Sequence, residues 1–134
     1  MKPTLEIDGD RFDTLEEFYD EVSRVLIPGA FWGRNLDAFN DILRGGFGTP
    51  DGGFILVWRN HERSREFLGY DETIPEIRSW LAICHPSNIL HVKEQLAAAE
   101  RREGTTVFDL LVEIIRHHGP GGSAAEHEVE LLLR

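Results

Sequence analysis

Two aspartates four residues apart, Asp37 and Asp41, lie in the stretch FWGRNLDAFNDIL, residues 31–43, behind an aromatic pair and a glycine. On a helix turning ~100° per residue, Leu36, Ala38, Phe39, Ile42 and Leu43 fall on one side. Asp37, Asn40, Asp41 and Arg44 fall within an arc of ~100° on the other. Like charges at this spacing disfavour the helix by a few tenths of a kcal/mol, roughly 0.2–0.5. Asp37 has a structural reason to be there, because an acid in the first turn complements the helix dipole. Asp41 sits in the second half, where the dipole opposes it, although an i,i+3 pair with Arg44 could offset this. Paired carboxylates suggest acid–base catalysis, but that chemistry needs a carboxyl with a raised pKa in a desolvated cleft. Two acids on an exposed helix face do not supply one, so no catalytic residue is assigned. A row of acids beside Phe31 and Trp32 suits docking on a cationic surface with apolar anchors. Trp32 also has the simpler reading of core packing.

The six histidines raise metal and nuclease readings, and His117-His118 is the obvious pair. Adjacent helical residues point ~100° apart, which is not the i,i+4 arrangement of a helical zinc site. Histidines in a last helical turn complement the dipole instead. His85 and His91 beside Cys84 match no zinc spacing, so no metal and no cofactor is expected. The glycine-rich segment 45–53 lacks Gly-Lys-Ser/Thr and leads into a strand pattern, so it reads as a turn rather than a phosphate cradle.

These side chains belong to a chain of 134 residues, about the length of one ordinary domain and long enough to bury a core. Lys and Arg number 14 against 24 Asp and Glu, a formal charge of −10. That balance disfavours nucleic acid or an anionic membrane as the direct partner and favours a basic protein. The single cysteine, Cys84, allows no intramolecular disulfide, which fits a reducing compartment. The first twenty residues are rich in acids and hold no apolar run of the ~7–15 residues of a secretory signal. No stretch approaches the ~18 apolar residues of a membrane span, so the expectation is a soluble cytoplasmic protein.

The elements that must position the acidic stretch can be read from periodicity. Residues 4–7 alternate as a strand before the turn Asp8-Gly9-Asp10. Leu15, Phe18, Tyr19, Val22 and Leu26 follow at helical spacing, with Thr14 as N-cap and Glu17 as its capping-box partner. Residues 35–44 form a second, shorter helix. The apolar run Phe54-Ile55-Leu56-Val57-Trp58 predicts a strand buried on both faces, hence a parallel sheet. Val107, Leu110, Leu111, Ile114 and Ile115 predict a helix, and residues 129–133 a last strand. Between about 70 and 106 the pattern suggests two short helices, one with Pro75 at its first position and one restarting at Pro86-Ser87-Asn88. Ile77 and Trp80 read as core. The order indicates an α/β layer fold.

At residues 31–43 the sequence resembles the barstar family: an aromatic pair, Gly, any residue, Asn-Leu-Asp-Ala, then an acid four residues after the first. FILVW followed by Arg59, and the helix-then-strand ending, support the likeness. It covers about residues 4–68 and, more weakly, 107–133. The resemblance implies a small three-stranded parallel sheet packed with helices, one domain over 1–134, and a helical insertion at about 70–106. It also implies inhibition of a basic, barnase-type ribonuclease by an acidic helix and the loop before it. In the family the acid matching Asp41 enters the ribonuclease phosphate site, and the residues matching Asp37 and Phe31 are contacts. Phe31, Gly33, Arg34, Asn35, Asp37, Asn40, Asp41 and Arg44 are the candidate partner-binding residues. Asn40 stands where the best-known member has a large aromatic, Phe31 lacks a tyrosine hydroxyl, and Glu113 only approximately matches a further binding acid. The alternative is a barstar-fold binding module whose partner is not a ribonuclease.

Overall fold

A computed structural model describes residues 2–134. Three strands, β1 (Thr4–Asp8), β2 (Phe54–Arg59) and β3 (Val129–Leu133), pair in parallel in the order β1-β2-β3. The register aligns Leu5, Leu56 and Leu131 across the sheet. The expectation that β2 is buried on both faces holds for one of them only. Phe54, Leu56 and Trp58 are buried, whereas Ile55 and Val57 on the other face are half-buried. Gly53 leads into β2 with φ +94, and a Cβ there would overlap the Glu128 carbonyl beside β3. Only glycine fits that approach.

Six α-helices accompany the sheet among the described residues: α1 (Leu15–Val25), α2 (Leu36–Leu43), α3 (His61–Phe67), α4 (Tyr70–Ile83), α5 (Ile89–Glu100) and α6 (Val107–His117). Helix α1 packs on β1, α6 on β3, and α2 against α6. Thr14 caps α1 by accepting from the Glu17 backbone N–H at 3.1 Å. The Glu17 carboxylate reaches back as predicted but accepts from the Asp13 N–H, not that of Thr14. A complete capping box, Thr106 with Asp109, starts α6. Helix α3 has an Asn at its N-cap position but no side-chain cap bond, because Asn60 is left-handed and its amide donates to Asp8 at 2.8 Å instead.

The core is aromatic at its centre. Trp58 on β2 stacks on Phe18 of α1 at 5.4 Å and lies 5.2 Å from Phe108 of α6. Its indole N–H donates to the Oγ of fully buried Ser64 at 3.0 Å, so the ring's polar edge is satisfied inside the apolar cluster. Phe39 of α2 meets the edge of Phe18 at 5.4 Å.

Segment 70–106 has a small core of its own, in which Ile77, Val92 and Ala99 are buried with Trp80 and Leu96 packed against them. This agrees with the core reading of Ile77 and Trp80. Pro75 is not at a first helical position: it is the sixth residue of α4, where it removes one helical hydrogen bond. Tertiary contacts set the earlier start. Glu72 accepts from the Leu15 N–H at the start of α1 at 2.8 Å, and buried Thr73 accepts from the Val107 N–H at the start of α6 at 2.9 Å. Two orphan donors of other helices are thus satisfied by the first turn of α4.

Replacing Thr73 by valine keeps the shape and leaves the Val107 N–H buried without an acceptor. Urea unfolding should show a loss of about 1–3 kcal/mol. A loss within error would mean that water reaches the start of α6.

Candidate partner-docking face

The loop before α2 is held by contacts of Trp32 and Arg34 to α1. Trp32 is buried, edge-on to Tyr19 at 5.3 Å, with its indole N–H donating to Ser23 Oγ at 2.7 Å. Core packing is therefore its role. Arg34 adopts a left-handed backbone, φ 52, which costs energy in a side-chain-bearing residue. Its guanidinium bonds the carboxylates of Glu16 at 2.8 Å and Asp20 at 2.7 Å, and these bonds raise its pKa further. Gly33 lies where a Cβ would press on the Ala38 methyl at 3.2 Å. With Trp32 turned inward, the neighbouring Phe31 ring is left in solvent, 102% exposed.

Asn35 then starts α2, its side-chain oxygen accepting from the Ala38 N–H at 2.7 Å. Phe39, Ile42 and Leu43 are buried, so the helix is fixed in rotation and Asp37, Asp41 and Arg44 are exposed. The two faces are those read from the helical period. Among the described residues, neither Asp37 nor Asp41 has an ion-pair or hydrogen-bond partner for its carboxylate. The i,i+3 pair that Arg44 could offer Asp41 is not formed.

Asn40 is half-buried and occupied. Its Oδ1 lies 2.6 Å from Nε2 of His118 at the end of α6, and His118 Nδ1 lies 2.7 Å from Nδ1 of His127. His118 is buried, and its pKa is pushed down to about 4, first by burial and then by His127, His117 and Arg44. His117 diverges from it as the helical geometry predicts, exposed and 2.6 Å from Ser123 Oγ. No sequence signal could have joined Asn40 to His118, 78 residues away.

Between α2 and α6 runs an open groove lined by Leu36, Asp37 and Asn40 on one side and by Leu110, Glu113, Ile114 and His117 on the other. Glu113 is exposed and adds a third acid to this face. Of the predicted residues, Phe31, Asp37, Asp41 and Arg44 stand free in solvent. Gly33, Arg34 and Asn35 shape the loop and the helix start. Such a surface, anionic with an apolar ring beside it, is suited to receiving cationic side chains. No group of three or more His, Cys, Asp or Glu among the described residues could hold a metal ion, and no helix there is long and apolar enough to cross a membrane.

Residues 2–108 match the protein family described as Barstar (barnase inhibitor). The match runs through segment 70–106 and stops at the start of α6. The chain is also similar to a Bacillus subtilis (strain 168) protein named "Putative ribonuclease inhibitor YrdF". The two are 38% identical over 72 residues, which is 53% of this chain and 76% of the other.

The position of His118 predicts a pH dependence of stability. Its folded pKa, about 4, lies below the ordinary 6.5, so on acidification the unfolded chain binds the proton first. Stability falls as pH drops from about 6.5 to about 4 by up to roughly 3 kcal/mol, with no contribution from this group above that window. Urea unfolding at pH 7 and pH ~4.5 should show a larger loss for wild type than for His118→Gln. Equal losses would show that His118 is not held neutral.

Proposed function

This chain belongs to the barstar family, and from that membership we propose that it is a non-catalytic, stoichiometric inhibitor of a basic, barnase-type ribonuclease. Helix α2 and the loop before it block the enzyme's active site. Asp41 supplies a carboxylate where the ribonuclease would hold a substrate phosphate, Asp37 supplies a second anionic contact, and Phe31 is the apolar anchor. The observation that carries this reading is that Asp37 and Asp41 neighbour one another at i,i+4 with no internal partner, close in sequence to a fully exposed phenylalanine. Some acids elsewhere, Glu16, Asp20 and Asp13 among them, are paired with arginines, whereas others such as Glu66 and Glu94 have no such partner among the described residues. Carboxylates left unpaired on a packed helix can accept charge-assisted hydrogen bonds from Arg, Lys or protonated His without first breaking an internal one. The formal charge of −10 supports a basic partner through steered encounter. We place the protein in the cytoplasm, in keeping with its single free cysteine.

One domain over 1–134, with 70–106 as an insertion, is part of the proposal. It is supported by the pairing of β2 with β3, which brings the two sides of that segment into one sheet. A second reading, a barstar-fold module for a partner other than a ribonuclease, is favoured by Asn40, whose side chain is tied to His118 where the best-known member has a large aromatic.

Titrating the chain into barnase during RNA cleavage should give stoichiometric inhibition. Asp41→Ala should weaken it more than tenfold, about 1.4 kcal/mol, and added salt should slow association for wild type. Absence of inhibition by the wild-type chain would move the function to the second reading.

A further inference from the structure

We propose that His118 is a positioning residue for Asn40, holding the amide so that its NH2 group faces outward from α2 as a hydrogen-bond donor that the partner must meet with an acceptor oxygen. This inference rests on the docking reading above and specifies the chemistry of the partner surface at one point.

Hydrogen counting leaves two arrangements, and the charge around Asn40 favours one of them. A neutral imidazole has one N–H, so one ring nitrogen donates and the other accepts. Both nitrogens of His118 are engaged, Nε2 with Asn40 Oδ1 at 2.6 Å and Nδ1 with His127 Nδ1 at 2.7 Å. With the carbonyl oxygen toward the ring, which only accepts, Nε2 carries the proton and Nδ1 accepts from the N–H of His127. The other nitrogen of His127, without a proton in this arrangement, lies 3.9 Å from Glu126 Oε1, beyond hydrogen-bond distance. Reversing the chain would flip Asn40 and turn its oxygen toward the face that carries Asp37 and Asp41. Two carboxylates on that face favour the NH2 outward.

The holder is packed on several sides. His118 is buried, edge-on to His117 at 5.3 Å and at 4.9 Å from the His127 ring. The amide nitrogen of Asn40 has no protein partner among the described residues and is not among the buried unsatisfied atoms, and Asn40 lines the α2–α6 groove. A fixed donor within a row of anions discriminates between partners. A surface offering only cations would face the NH2 with further N–H groups and leave it unpaired once water is excluded, whereas a carbonyl, amide or carboxylate oxygen among the cations would complete it.

With barnase as the probe, inhibition is measured for wild type, Asn40→Asp, His118→Leu and His118→Gln. Asn40→Asp can still accept from His118, so the internal contact survives while the outward donor is lost. It should bind about tenfold more weakly despite its added negative charge. His118→Leu should lose a similar factor, and His118→Gln, whose amide offers the same donor, should stay within about threefold of wild type. Equal or tighter binding by Asn40→Asp overturns the proposal, as does wild-type affinity in a folded His118→Leu. Nitrogen-correlated NMR of the free chain separates this failure from failure of the inhibitor reading. The Nε2–H tautomer of His118 is expected there without any partner, and the Nδ1–H tautomer would overturn the positioning role by itself. Failure of wild type to inhibit barnase overturns the partner requirement together with the inhibitor reading.

Discussion

The edge-to-face contact of Phe39 with Phe18 is the constraint on which the candidate docking face depends. Phe18 is itself stacked on Trp58 of the central strand, so the rotation of α2 about its axis is referred directly to the sheet. With Phe39, Ile42 and Leu43 committed to that core, the positions of Asp37 and Asp41 in solvent follow from 3.6 residues per turn. The Asn40–His118 contact pins the same helix to α6 from its polar edge. One short helix is thus located by an apolar contact on one side and a polar one on another. Eight residues could not hold that geometry alone, because isolated helices of this length are unstable in water.

Charge is treated in two ways along the chain. Glu21 is buried with its carboxylate shared between Arg11, Arg24 and the Asp8 N–H, and Arg34 joins two acids of α1. Those anions and cations are paired within the chain. The acids of α2 receive no such partner among the described residues. The left-handed Arg34 belongs to the same arrangement, since the energy of its backbone is offset by the ion pairs that hold the loop against α1.

Local signals made much of this legible in the sequence. Asn35 and Arg44 bounded α2 because capping and helical period act within a few residues, and β3 was legible as an apolar run behind a Gly/Pro break. The exposure of Asp37 and Asp41 followed from the same period. What escaped depends on partners distant in sequence. Pro75 lies inside α4 because Glu72 and Thr73 dock on two other helices, which overrides the local preference for Pro at a helix start. Asn40 read as a free contact residue because nothing near it announces His118 or His127. The half-burial of Ile55 and Val57 escaped for another reason: an unbroken apolar run does not report how fully each sheet face is covered.

The all-parallel sheet has a consequence for the order in which the protein assembles. No strand can pair with its neighbour through a hairpin, and β2 must wait for residues 129–133 before its second edge is closed. Segment 70–106 lengthens that wait. During synthesis the apolar β2 therefore spends the translation of roughly 70 residues, about 4–14 seconds at ordinary ribosomal rates, with one edge open. Folding dominated by such distant pairings is slow, and the nascent chain is open to edge-to-edge association throughout this interval.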